Sequence, residues 1–180
     1  HDHAERGLVL EDLDVGEGIA VHEQEVGEGA HLHHAQLPRA PHELAAELGL
    51  RVHLHASESV EQTAHVRATR GGRTPIRVLR DTGVLERGVL IAHGCGIVAD
   101  DLEHLAAFAD RIAVASCPKG YLKQIVDPMT PVPLLNAAGV PLAIGSDGAA
   151  SGNTLDVWEA ARLTALTQKR QQHDAGAMPV

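Results

Sequence analysis

Four short runs rich in aliphatic residues constrain this chain more than anything else in it. They are "LRVHLH" at 50–55, "GVLIAH" at 88–93, "RIAVAS" at 111–116 and "GVPLAIGSD" at 139–147. Each reads as a buried strand, and the segments around them read as helices. Pro41 starts a helix in which Leu44 and Leu48 share a face and Gly49 ends the run. Thr74 and Pro75 make an N-cap and first position for a helix that carries Ile76 and Leu79 and stops at Gly83. Leu102, Leu105, Ala106 and Ala109 fall at spacings of three, four and seven, which is one helical face. A proline-rich loop runs from Pro118 to Pro133, and Leu155, Trp158, Ala161 and Ala165 mark a final amphipathic helix. Apolar strands alternating with helices predict an α/β fold with a parallel sheet covered by helices.

The strand ends share a second property. "VHLHASE", "LIAHG", "VASCP" and "AIGSDG" all place polar residues at the C-terminal end. In a (β/α) barrel the loops at that end converge on one mouth and carry the chemistry. An open doubly wound sheet also binds ligands there, so strand ends alone leave both architectures standing.

Residues 1–38 behave differently from the rest. "VGEGIAVHEQE" from Val15 and "VGEGAHLHHAQ" from Val26 form a rough eleven-residue repeat, rich in Gly, Glu and His and poor in long apolar side chains. Such a composition does not build a packed core, so an atypical, loosely ordered segment is expected before a regular unit at 39–180. Over the whole chain 44% of residues are hydrophobic, but only one Trp, one Tyr and one Phe occur, too few for base-stacking platforms. A formal charge of −9 argues against nucleic acid and against an anionic membrane surface as partners. Two cysteines, Cys95 and Cys117, are too few for a disulfide framework and fit a reducing cytosol; small buried or mouth-lining roles are expected for both. No apolar run reaches the roughly 18 residues that span a bilayer, and no signal-peptide pattern occurs, so a soluble cytoplasmic protein is expected.

Thirteen histidines are unusual, and position decides which of them matter. His55, Glu58, His93 and Asp147 lie at or just beyond strand ends. Imidazole and carboxylate are the ligand types of Zn²⁺, and of Fe²⁺ or Mn²⁺. A metal with an open position activates water near neutral pH, and a carboxylate beside it can carry the proton to a leaving group. Ser57 and Ser59 raise a serine nucleophile as an alternative, but the chain has no GxSxG elbow. The HxE and PCxxC pattern of another zinc-deaminase fold is also missing. For His31, His33 and His34 an exposed His-rich segment with adventitious metal affinity is the preferred reading.

"VHLHASES", "LIAHGCGI", "SCPKGYLK" and "PVPLLNAAGVPLAIGSDGAASGNTLDVWEAARLTALTQK" together resemble the second half of an amidohydrolase-superfamily enzyme, in the deaminase and chlorohydrolase branch, from about residue 40 to about residue 170. "GSDGAASGNTLD" is the most specific piece. The resemblance implies a partial (β/α)₈ TIM-type barrel holding roughly strands 5 to 8 with their helices. It implies that His55 and Asp147 bind one divalent metal, zinc first and iron or manganese next. It implies that Glu58, His93 and Asp147 are catalytic, with Glu58 and His93 also touching the substrate. His53 lies two residues before His55 on the same strand face and need not touch the metal.

The implied reaction is hydrolytic deamination of a purine- or nucleoside-like, or triazine-like, C–N bond by metal-activated water, on a small heterocyclic substrate. Two departures qualify that implication. The family carries an HxH pair on the first strand, whereas the HxH spellings that precede "VHLHASES", His1/His3 and His31/His33, end no apolar strand. The family's usual histidine after "VA" is Ser116 here. The chain is therefore expected to be a C-terminal part of a longer enzyme. The alternative is a catalytically inactive half-barrel lacking the first-strand ligands, pairing with another copy as a homo-oligomer to cover its sheet edges.

Overall fold

The structure is a computed structural model that describes residues 7–10, 44–45 and 47–178. The eleven-residue repeat, the pairs His1/His3 and His31/His33, His34 and Pro41 lie outside the described residues, as does most of the segment 1–38.

Five parallel strands form one sheet in strictly sequential order: β1 (Gly7–Leu10), β2 (Arg51–Ala56), β3 (Val89–His93), β4 (Ala113–Ser116) and β5 (Leu142–Ile144). Parallel crossovers are almost always right-handed, so a strand order that never reverses puts every connection on the same face of the sheet. A doubly wound sheet reverses direction and distributes helices over both faces. The sequential order therefore decides for a singly wound sheet, part of a (β/α)₈ barrel with helices outside. β1 joins the four strands expected from sequence. "GLVL" is a four-residue apolar run surrounded by polar sequence, too short to stand out from its neighbours.

The connecting helices are α1 (Val60–Thr69), α2 (Pro75–Asp81), α3 (Val84–Arg87), α4 (Leu102–Ala106), α5 (Pro118–Gln124), α6 (Val132–Ala137), α7 (Ala149–Gly152) and α8 (Val157–Gln172). A 3₁₀ turn at Ala99–Asp101 leads into α4. Thr74 caps α2 as expected, accepting a hydrogen bond from the Arg77 amide at 3.0 Å. Its hydroxyl also donates at 2.5 Å to the carboxylate of Asp101, whose other oxygen accepts from the Val98 amide at 3.1 Å. One buried carboxylate thus joins the start of α2 to the 3₁₀ turn, and burial raises its pKa.

Val52, Leu54, Ile91 and Val114 on the strands meet Ile76, Leu79, Leu85, Leu105 and Leu135 on the helices to form the main core. Ile91, Leu85, Leu105 and Leu135 are fully buried, and truncating any one to Ala would cost about 2–5 kcal/mol. β2 alternates between the buried Val52, Leu54 and Ala56, which meet helices, and the more open Arg51, His53 and His55, which face the other side.

Three local expectations are corrected. The span Pro118–Pro133 is a loop only at 125–131: it also holds α5 and the start of α6, because a proline in the first turn sacrifices no helical hydrogen bond. Helix α1 had no apolar stripe to betray it, since its buried residues are only Thr63 and Val66. Its signal was Ser59, which caps the helix by accepting from the Gln62 amide at 3.2 Å. In α8 the buried face is Ala160, Thr164, Ala165 and Gln168, while Trp158 is 77% exposed and Leu155 lies before the helix at 68%. Small and polar side chains, which an apolar pattern does not register, make that contact. Ala109 follows the end of α4 instead of extending it. Among the described residues no helix is long and apolar enough to cross a membrane.

Candidate active site at the strand ends

The strand register sets a row across the sheet at the level of His55. His55 pairs with Ala92, Ala92 with Ala115 and Ala115 with Ala143. Laterally paired residues in a parallel sheet project from the same face. The imidazole of His55 therefore shares its row with three single-carbon side chains.

His93 is one step further along β3 and pairs with Ala56. Simple alternation would send its side chain toward the helices with Ala56 and Ile91. Its backbone instead adopts φ 72°, the left-handed region. That turn breaks the pleat, and the His93 ring stacks on His55, with centroids 4.8 Å apart and planes 15° from parallel. The edge of Tyr121 packs against the same ring at 5.7 Å and 67°. His93 is 5% exposed, and its Nδ1 has no hydrogen-bond partner among the described residues.

Asp147 also turns left-handed, with φ 60°, and so does Ser57, with φ 49°. Left-handed conformations are costly for residues with a Cβ and concentrate where a site over-determines its backbone. Three of them, at or just beyond the ends of β2, β3 and β5, mark this end of the sheet. Asp147 Oδ1 accepts from the Gly148 amide at 2.6 Å. Its Oδ2 lies over Gly120 on α5, so close that an added Cβ would sit 3.0 Å from it. Helix α5 is held against the segment after Asp147 by two lysines. Lys119 Nζ donates to Glu159 at 2.7 Å and to Thr154 at 3.0 Å, and Lys123 Nζ donates to the Ser151 carbonyl at 2.5 Å.

Glu58 sits in the loop between β2 and α1 with its side chain exposed, and its amide donates to Gln62 Oε1 at 2.9 Å. That loop packs on the one after β3. The Gly96 amide donates to the Ser57 carbonyl at 2.7 Å, and a side chain at Gly96 would run into the Ser59 carbonyl. The Gly96 carbonyl accepts from Thr63 Oγ1 at 2.9 Å. Of the two serines near His55, Ser59 is committed to capping α1, and the buried Ser57 hydroxyl has no partner among the described residues to activate it.

Burial first and then the nearby His55 lower the His93 pKa to about 4, against the opposing effect of the Asp147 carboxylate. His93 is thus a neutral imidazole at neutral pH. Burial and His55 also lower the pKa of His53. These mutual influences put His53, His55, His93 and Asp147 in one electrostatic neighbourhood. Cys95 and Cys117 are buried, and desolvation raises both thiols to about 11, so neither is a thiolate nucleophile or ligand at neutral pH.

Sequence reasoning missed the support behind His93. Thr130 Oγ1 lies 2.6 Å from the His93 carbonyl and 3.1 Å from the Tyr121 hydroxyl, which accepts from the Cys117 amide at 2.9 Å. The Thr130 carbonyl accepts from Gln168 Nε2 at 3.0 Å. Only the rarity of tyrosine in this chain could have singled out any of these residues.

Catalytic zinc takes three protein ligands and keeps an open position. His55 and Asp147 supply the right donor types, and the unpartnered His93 Nδ1 adds a free polar atom in the same neighbourhood. Among the described residues no three His, Cys, Asp or Glu side chains converge to hold an ion. The donor set suits a divalent ion in kind and supplies part of its shell.

Comparison with known proteins agrees with the geometry. A 5-methylthioadenosine/S-adenosylhomocysteine deaminase from Pelotomaculum thermopropionicum is 37% identical over 137 residues, covering 76% of this chain. The chain spans 31% of that protein's length. The crystal structure of a zinc-bound adenosine deaminase from Xanthomonas campestris superposes with a TM-score of 0.67 at 32% identity, over 76% of this chain and 30% of that one. A zinc-complexed atrazine chlorohydrolase from Arthrobacter aurescens gives 0.60 at 26% identity, over 73% and 28%. The family model that matches residues 33–180 takes in β2 to β5 with His55, His93 and Asp147, and by that match the chain belongs to the amidohydrolase family.

Proposed function

We propose that this chain carries the strand-five-to-eight portion of a metal-dependent hydrolase that deaminates a small amino-substituted heterocycle of the purine, nucleoside or triazine kind. The observation that carries the reading is the stacking of His55 on His93 at the strand C-termini, with the Asp147 carboxylate near enough to oppose the lowering of the His93 pKa. The relatives' names point to the same chemistry: deaminases of adenine-bearing molecules and a hydrolase of a triazine.

In this reading His55 and Asp147 hold one divalent ion, zinc first and iron or manganese next, together with ligands from elsewhere in the enzyme. Once bound, the ion lowers the pKa of a water molecule and so supplies the nucleophile. Glu58 would move protons between water, a ring nitrogen and the departing ammonia. The balance is water added at the ring carbon, the amino group lost as ammonia and a carbonyl left behind. His93, neutral at working pH and fixed on His55, offers a hydrogen bond to the substrate instead of a charge. Both cysteines are free and buried, which fits a reducing compartment such as the cytoplasm.

The test is to purify the 180-residue chain, measure its zinc, iron and manganese content, and assay ammonia release from 5-methylthioadenosine, S-adenosylhomocysteine, adenosine, guanine and an amino-triazine. The expected result is metal bound in stoichiometric amount and ammonia from at least one purine. A chain that binds no metal and releases no ammonia overturns the reading for this chain and leaves the inactive half-barrel.

A further inference from the structure

We propose that Thr130, acting with Tyr121, is a positioning residue that aims His93 at the mouth of the barrel. His93 would point among the helices if β3 kept its pleat, as its pairing with Ala56 shows. Its ring reaches His55 only because the backbone turns left-handed, which an L-residue resists. Something must hold the turn, and the His93 carbonyl identifies it. That carbonyl has left the β3–β4 ladder, whose last register pair is Ala92 with Ala115, and the Thr130 hydroxyl lies 2.6 Å from it.

Thr130 has one hydroxyl proton. The 2.6 Å contact to the carbonyl takes it, because a carbonyl can only accept. The Tyr121 hydroxyl, which accepts from the Cys117 amide, then gives its own proton to Thr130 Oγ1 across 3.1 Å. The relay runs from the end of β4 through Tyr121 and Thr130 to the end of β3. Every member is buried: Thr130 is 0% exposed, Tyr121 3% and Cys117 5%. Gln168 of α8 clamps the Thr130 backbone from behind, and the Tyr121 ring packs against the His93 ring in a T-shaped contact. Thr130 and Tyr121 therefore fix both the backbone and the ring of His93.

The catalytic consequence rests on the deaminase reading, while the positioning itself does not, and the experiment separates the two. Thr130→Val keeps the side-chain shape and removes the hydroxyl; Thr130→Ser restores the hydroxyl. Thr82→Val, which deletes a hydroxyl bonded to the Val78 carbonyl at 2.9 Å on α2, is the control for losing a threonine hydroxyl as such. Two quantities are read on the full chain: NMR cross-relaxation between the His55 and His93 rings, and kcat against KM for ammonia release. Thr130→Val is expected to lose the inter-ring signal while its amide spectrum stays folded, and to lower kcat with KM little changed. Thr130→Ser and Thr82→Val are expected to keep both. If Thr130→Val does not fold, Tyr121→Phe carries the same prediction. An inter-ring signal that survives in Thr130→Val, or is lost equally in Thr130→Ser, overturns the proposal. Absence of ammonia release from the unaltered chain counts against the deaminase reading and leaves the ring measurement to decide the positioning.

Discussion

Replacing His93 by Asn should flatten the dependence of this protein's stability on pH. The ordinary pKa of 6.5 is lowered to about 4 in the folded chain, first by burial and then by His55. Between those values the unfolded chain binds a proton that the folded chain refuses, so stability falls as pH drops from 6.5 toward 4. At 1.36 kcal/mol per pKa unit the full effect is about 3 kcal/mol, and roughly 2 kcal/mol of it is already lost at pH 5. The side chain is nearly inaccessible, so solvent does little to reduce that figure.

Asn is the replacement of choice because it tolerates φ 72° better than Ala would and does not titrate. The assay is urea unfolding of both proteins at pH 7.5, 6.5, 5.5 and 5.0 with a chelator present, so that metal release does not mimic protonation. His53, whose pKa is also lowered, contributes a loss of the same sign in both proteins, and the difference between them isolates His93. The variant is expected to start less stable at pH 7.5 and to converge on the unaltered chain by about 2 kcal/mol at pH 5. Parallel pH curves would mean that His93 is solvated or charged in the fold, and the neutral role assigned to it would go with them.

Two further substitutions test the mouth. Ser57→Gly removes left-handed strain of about 1–2 kcal/mol and a partnerless buried hydroxyl worth about 1–3 kcal/mol, against a glycine entropy cost of about 0.5–1 kcal/mol. It should therefore raise the urea midpoint, and a lowered midpoint would show that the Ser57 hydroxyl has a partner in solution. Gly120→Ala places a methyl group 3.0 Å from Asp147 Oδ2. Zinc affinity measured by chelator competition should fall by about 10–100-fold, the range for losing support behind a metal ligand, with little change in the far-UV spectrum; an unchanged affinity would remove Asp147 from the ligand set.

What could be read from the sequence was whatever depends on continuous apolar runs or on side chains with one strong local habit. β2 to β5 announced themselves as apolar runs, and Thr74–Pro75 announced α2. The choice between barrel and doubly wound sheet could not be read from strand ends, because it lies in strand order, which is a long-range fact. Helix α1 and the buried face of α8 were illegible for the same physical reason: Thr63, Thr164 and Gln168 are buried through hydrogen bonds and small size, not hydrophobicity. The placement of His55 at the end of β2 and of Asp147 just beyond β5 was legible in the sequence. The stacking of His93 on His55 was not, since alternation along β3 predicts the opposite side and only the backbone turn reverses it.

The row of Ala92, Ala115 and Ala143 beside His55 has a consequence for how such a site can change. A methyl side chain has no rotamers to lose or exchange. The wall it forms is moulded by main chain and cannot reshape around one guest or another. On the proposed function, discrimination between heterocycles would then fall to the longer side chains of the surrounding loops, which can be rewritten without disturbing the sheet. Enlarging one of those alanines would instead exclude every ring at once.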